Sequence, residues 1–429
     1  MRRILIITWS MIPYTDNWGS CQRMFYLADM IQQKKGLVDI VCAYEGVKNS
    51  SCKKEENVYA FDVKGNRIEM NYNSPKTDVY KNFKKIKNSK IGIVILTIAK
   101  IVNVFLNDSN EYRGLKVYVW SKKNYKNIKN LVQKNHYDTI VISGPPHALF
   151  LIGKKLKTKN TTVIFDYRDP WNTWRRNSPI SEMIEKKVLR NADTIVCTNS
   201  NMKNSLMKRM GVNERKIYVV GNGYSKLRWK NVWKKKINKT REKFIISYIG
   251  SINLDNYASF RNCDSIERAY EVFRDRHSNV ELEFVGVNDY NDKLKKEYRK
   301  RGIRIRGKVS VEESLEIMMG SDVLMLMHTV DDGSGKYIIS AKLYDYIASG
   351  KPVIGIGHSY DLHKEIIEKN GIGIFCENDS EQIVDAFESM YQRWISGEES
   401  FKKLEKENFS REFQNEIYAD ILKVGIENA

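Results

Sequence analysis

Short runs of apolar, β-branched residues alternate along the chain with longer segments whose apolar positions recur every three or four residues. This is the pattern of a parallel sheet covered by helices. In the first half, Ile4–Thr8, Val38–Cys42, Thr139–Ser143, Thr162–Phe165, Thr194–Thr198 and Ile217–Val220 read as strands. Between Ser20 and Gln33, Met24, Leu27, Ala28 and Ile31 fall on one face of a helix. The second half repeats the scheme from Phe244–Ile249 through Glu281–Val285, Ile303–Arg306, Val323–Met327, Val353–Ile356 and Gly373–Phe375. A last helix is expected over Phe409–Val424.

Between the two series lies SKLRWKNVWKKKINKT, Ser225–Thr240, which is polar and strongly basic and shows no periodic apolar face. The organisation expected is a Rossmann-like domain over 1–225, a basic linker over 226–240, a second Rossmann-like domain over 241–405, and a terminal segment, 406–429, that packs back on the first domain. At 429 residues the chain is too long for one ordinary core, in agreement with two domains. Two such halves imply a cleft between them, where ligands of open α/β sheets bind.

Residues 80–132 resist the scheme. An apolar run, IGIVILTIAKIVNVFL, sits between the lysine-rich stretches YKNFKKIKNSK and WSKKNYKNIKNLVQK. It is shorter than the ~20 residues a membrane-spanning helix needs. Two readings stay open: an amphipathic helix in an anionic membrane interface, or a buried helix with a solvated basic flank.

Composition changes the picture in two places. Apolar residues at 42 % and aromatics at 11 % exclude a disordered chain. A net charge of +20 favours anionic partners, although a Lys/Asn/Ile-rich codon bias gives the same excess. The six cysteines show no metal-ligand or CxxC spacing, which suits a reduced, cytoplasmic protein without structural zinc. The opening MRRILIITWS lacks a cleavage site and is followed by Pro13 and Asp16, so a first strand fits it better than a signal peptide.

No GxGxxG follows the first strand, and GSGKY at 333–337 is not a P-loop, which argues against common dinucleotide and NTPase sites. Gly19 opens the first helix where a ligand can approach the backbone. In the second half, the first strand ends at Gly250-Ser251, and IRGKVS places Gly307, Lys308 and Val309 before another helix. Then HTVDDGSGKYIISAKLYDYIASGKPVIGIG supplies a glycine-bearing loop with Lys336, the helix start Ser340-Ala341-Lys342, Asp345 and a Gly-Lys-Pro exit. A lysine near a helix N-terminus, where the macrodipole disfavours it, makes sense beside a diphosphate. Asp345, three residues on and on the same face, suits a ribose diol.

Ala341–Pro352 resembles the Ser-Lys-Leu-(aromatic)-Glu-Tyr-(Met/Leu)-Ala-x-Gly-Lys-Pro segment of retaining nucleotide-sugar glycosyltransferases of the GT-B fold, family-four group. SGPPHALF at 143–150, FDYRDPW at 165–171 and VGNGYS at 220–225 resemble further segments of the same subset, in the same order. The resemblance implies two Rossmann-like domains, an acceptor-binding N-terminal one and a nucleotide-sugar-binding C-terminal one. It further implies a UDP-sugar donor, no separate cofactor and no metal, while the lack of a helix-turn-helix or RNA-binding motif beside the charge argues against nucleic acid. A saccharide or lipid-linked saccharide acceptor, at the inner face of the plasma membrane, and a role in bacterial surface polysaccharide synthesis are also expected.

Carried over by position, Asp345 takes the second acid of the family's Glu-x7-Glu motif, whereas Tyr337 stands where the first would be. The phosphate clamp that follows the glycine in the family is absent, which leaves Lys342 as one cation and Arg261 as the expected second. Gly307-Lys308-Val309 matches the base-binding segment. The acceptor side offers His147, Asp166, Arg168 and Asp169, with Asp169 and His147 the candidate catalytic groups beside Lys342. An Arg168–Asp169 loop ion pair and a satisfied turn histidine are the plain alternatives. Trp171 and Trp174, beside Arg175 and Arg176, suit either an acceptor groove or a packed loop. At the level of function, a non-hydrolysing nucleotide-sugar epimerase and a decayed basic binding protein remain as alternatives.

Overall fold

The computed structural model describes residues 1–15, 18–44, 58–62, 64–68, 90–106, 111–173, 178–235, 242–254, 263–397 and 405–425. The chain forms two compact units, Met1–Gly221 with Gln414–Ala429, and Asn222–Phe413.

The first unit holds an eight-stranded sheet in the order β4-β3-β2-β1-β5-β6-β7-β8. Its strands are β1 (Arg3–Ile7), β2 (Leu37–Ala43), β3 (Val58–Phe61), β4 (Arg67–Ile68), β5 (Thr139–Gly144), β6 (Thr162–Tyr167), β7 (Thr194–Cys197) and β8 (Ile217–Val219). All pairings are parallel except β3 with β4. Every residue of β5 is buried, as expected of a strand covered on both faces, and this explains why such strands read as apolar runs rather than alternations. The C-terminal helix Arg411–Leu422 contributes Tyr418, Ala419 and Leu422 to this unit's core.

The second unit is a six-stranded, all-parallel sheet in the order β11-β10-β9-β12-β13-β14. Its strands are β9 (Phe244–Ile252), β10 (Val280–Val287), β11 (Ile303–Arg306), β12 (Val323–Met327), β13 (Val353–Gly357) and β14 (Gly373–Glu377). Counted from β9, this is the 3-2-1-4-5-6 order of a Rossmann sheet, with its switch point between β9 and β12.

One expectation changes. Lys226–Lys234, read as linker, is a helix whose Trp229 and Val232 are buried in the second unit's core. Its seven other positions are mostly basic or polar, so its apolar stripe is too narrow to register as a period. Within 80–132 the apolar run forms the helix Lys90–Leu106, as either reading expected, a second helix spans Glu111–Asn135, and 80–89 and 107–110 lie outside the described residues. Among the described residues no helix is long and apolar enough to cross a membrane.

Candidate functional site

The carboxyl edge of β9, at the switch point, is built around a glycine. Gly250 has φ +148, and a Cβ placed on it would lie 1.9 Å from Lys342 Nζ. The lysine ammonium therefore rests on the α-carbon, a position only glycine permits. Lys342 Nζ also donates to the Tyr248 hydroxyl and lies 4.2 Å from that ring's centroid. Gly286 (φ +98) has the same character, since its Cβ would meet the Gly250 carbonyl oxygen at 2.7 Å. Its amide donates to the Gly307 carbonyl at 3.2 Å, and the Asn288 side chain holds Ser251 Oγ at 2.8 Å.

Gly250, Ser251 and Lys342 are thus assembled at one strand edge, with the backbone of Gly307 tied to it through Gly286. Val309 packs against the core beside them, and Lys308 is exposed. Lys336 is exposed and lies 4.7 Å from the Tyr360 ring centroid. Arg261, Trp174, Arg175 and Arg176 lie outside the described residues. Gly19 is exposed in the first turn of Trp18–Gln33.

The helix Ala341–Ser349 begins at Ser340, whose side chain caps no amide of the first turn. Its C-terminus closes on Gly350 in the left-handed region, φ 73. One turn beyond Lys342, Asp345 Oδ1 accepts the indole N–H of Trp229 at 3.0 Å. Burial pushes its carboxyl above the usual range, against the pull of Arg228, that N–H and Arg411.

A cluster that sequence reasoning missed lies beyond β12. His328 Nδ1 is 3.0 Å from Asp361 Oδ2, and its Nε2 is 3.0 Å from Ser334 Oγ. An ionised carboxylate only accepts, so Nδ1 carries the proton and Nε2 receives the Ser334 hydroxyl. Burial works against the charge of Asp361, but the His328 N–H and the His358 amide hold its carboxyl below the usual range. The arrangement polarises the Ser334 hydroxyl toward its histidine. His328 and Ser334 share the loop after β12, whereas Asp361 and His358 come from the loop after β13, so no local motif marks the set.

His328, Asp361 and His363 offer ligand atoms within 4.8 Å of one another. The proton positions speak against a metal ion there. His363 Nε2 accepts the Ser340 amide at 2.9 Å, which leaves the ring proton on Nδ1 and no lone pair for a cation. Burial lowers His363 to about 4, so the ring is neutral.

On the first unit, the acceptor-side candidates separate by burial. Asp166 is fully buried in an ion pair with Arg23, at 3.0 Å, and accepts from Ser143 and Tyr418. Arg23 also donates to the Val220 and Gly221 carbonyls, so this pair ties β6 to the chain leaving β8. His147 is buried, its ring stacked on Trp171 at 5.4 Å, and its Nε2 meets the Asp169 carbonyl oxygen at 2.8 Å. Trp171 is likewise buried, which places it in a packed loop. Arg168 donates to the Ser20 and Pro145 carbonyls. The Asp169 carboxylate is 40 % exposed and 4.0 Å from Arg168 Nε, the most accessible acid of the group. Below this loop, Glu185 accepts from Asn172 and Tyr167, and burial pushes it up to about 7.

Two Rossmann-like domains, each on a parallel sheet, define the GT-B fold, and solved structures agree. A glycosyltransferase from Rickettsia africae ESF-5 matches with a TM-score of 0.60 over 100 % of this chain and 99 % of its own, at 16 % identity. The UDP-GlcNAc 2-epimerase from Methanocaldococcus jannaschii matches at 0.55 over 98 % and 99 %, at 13 % identity. Residues 99–226 match the family model described as Glycosyltransferase Family 4. An uncharacterized glycosyltransferase of Methanocaldococcus jannaschii, MJ1069, is 25 % identical over 238 residues, 53 % of this chain and 57 % of that relative. The chain thus matches little more than half the length of that curated relative. Fold and family match together support a GT-B glycosyltransferase.

Proposed function

We propose that the protein transfers a sugar from a nucleotide diphosphate, a UDP-sugar, to an acceptor hydroxyl with retention at the anomeric carbon. The observation that carries this reading is Lys342, seated on Gly250 beside Ser251 at the switch point of the second unit. The acceptor oxygen bonds to the anomeric carbon as the bond to the diphosphate breaks. Lys342 and the positive N-terminal end of the 341–349 helix compensate the negative charge of the leaving diphosphate. Asp345 takes the ribose diol and Gly307–Val309 the base. His328 and Ser334 take the polar role at the donor sugar that Tyr337 cannot fill. On the first unit, Asp169 receives the acceptor proton, and His147 positions that loop through the Asp169 carbonyl.

The acceptor is a saccharide or lipid-linked saccharide of surface polysaccharide synthesis, met at the cytoplasmic membrane face by the region 80–132. Product analysis tests the reaction: UDP-sugar plus acceptor yields UDP and a glycosylated acceptor, and omission of the acceptor leaves the UDP-sugar intact. The M. jannaschii neighbour makes the epimerase outcome specific, because conversion of UDP-GlcNAc to an epimer without acceptor would replace the transferase reading.

A further inference from the structure

The first unit carries a groove of about 480 Å³ that the donor chemistry does not use. Val102, Phe105 and Leu106 of the 90–106 helix line it, together with Leu151 on the turn after β5 and Ile184 of the 179–189 helix. Its size falls within the range of small-molecule sites, roughly 300–1,000 Å³. Lys154 and Lys187 line it and are exposed, and neither forms an ion pair with a described residue. Along the same helix, Val94, Ile98, Ile101 and Phe105 are 58, 46, 54 and 40 % exposed. Spaced by four, three and four, they make one apolar face continuous with the groove through Phe105.

The groove is built onto the acceptor-side loop. Phe150 lines it and also packs 5.5 Å from the His147 ring and 6.2 Å from the Trp171 ring. The Trp171 indole N–H donates to the Leu106 carbonyl, which fixes the helix end to the loop that bears Asp169. An apolar channel with two lysines, joined to an exposed apolar helix face, suits a hydrocarbon chain that ends in a phosphate.

We propose that this groove binds the lipid chain of a phosphate-bearing, membrane-anchored acceptor. The inference rests on the transferase reading for the acceptor's role, and names the carrier of the acceptor saccharide as a lipid joined to it through phosphate. Bulk bilayer lipid is not its occupant, because the groove is tied to the loop of Asp169 and is not merely a surface face.

Calorimetric titration of the full chain with farnesyl phosphate, below the concentration at which it aggregates, tests this. One-to-one binding is expected, weakened at least tenfold by Leu151→Trp and by Ile184→Trp, which fill the groove from two different elements. The double variant Lys154→Glu, Lys187→Glu is expected to lose the preference for farnesyl phosphate over farnesol. Circular dichroism melts check that each variant folds. Absence of binding to the folded wild type overturns the proposal, as does binding that both tryptophan variants leave unchanged. Binding to phosphatidylglycerol vesicles but not to farnesyl phosphate overturns it in favour of general membrane docking. Concentration-dependent dimers abolished by the tryptophan variants assign the groove to a second copy and overturn it too. Titration with a UDP-sugar separates the two readings: farnesyl phosphate binding without donor binding sinks the transferase and leaves the groove, and the converse sinks the groove alone.

Discussion

Lys342 and Gly250 are complementary: the ammonium of one occupies the space where any side chain on the other would begin, with 1.9 Å between Nζ and an added Cβ. Gly250→Ala therefore both strains a backbone at φ +148 and evicts the lysine. The variant is expected to bind UDP-sugar at least tenfold more weakly, with the far-ultraviolet dichroism of the wild type retained. Wild-type affinity in Gly250→Ala would show that the lysine's seat is irrelevant to binding.

Asp345 separates charge from hydrogen bonding. Asp345→Asn can keep the Trp229 contact through its amide oxygen while it removes a charge that burial disfavours. Stability is expected to hold or rise. The preference for UDP over its 3′-deoxy analogue is expected to fall about ten- to a hundredfold, which corresponds to one charge-assisted hydrogen bond, roughly 1.5–3 kcal/mol. An unchanged preference removes Asp345 from the ribose.

Glu185 makes the first unit sensitive to pH. Its carboxyl keeps a proton up to about 7 in the fold and releases it near 4.5 in the unfolded chain. Between those values the folded state binds more protons, so stability falls as pH rises. The full effect is about 3 kcal/mol. Glu185→Gln retains acceptor and donor groups for Asn172 and Tyr167 without the charge, so its melting temperature should hold a constant lead above pH 7 after gaining on the wild type steadily from pH 5 to pH 7. A difference that stays constant from pH 5 to pH 7 contradicts the assignment.

Asp166 belongs to the fold rather than to the chemistry. Breaking its buried pair with Arg23 leaves a charge without compensation, at a cost of about 3–5 kcal/mol. Urea unfolding of Asp166→Asn should show a loss of that size. A variant as stable as the wild type but inactive would return Asp166 to the acceptor site.

The sheets were legible because parallel strands such as Thr139–Gly144, buried on both faces, leave apolar runs in the sequence. Val58–Phe61 and Arg67–Ile68, at four and two residues, are too short to produce a run. The helix Lys226–Lys234 hid among its lysines, since Trp229 and Val232 alone carry its burial. Of the site, Gly250 and Lys342 were visible as a glycine at a strand end and a lysine at a helix start. The contact between them spans 92 positions and belongs to the fold alone. His328, Ser334 and Asp361 carry no shared motif, because the bond from His328 to Asp361 joins the loop after β12 to the loop after β13. For His147 and Trp171 the sequence left a site role and a packed loop both open, because ring stacking and a bond to a backbone carbonyl leave no mark on spacing.

The most direct measurement is calorimetric titration of the full chain and of Lys342→Ala with UDP and a panel of UDP-sugars. The expected result is saturable, one-to-one binding to the wild type, weakened at least tenfold in Lys342→Ala with the melting temperature of the ligand-free protein unchanged. No binding to the wild type, or equal affinity in the variant, would contradict a nucleotide-sugar site at Lys342.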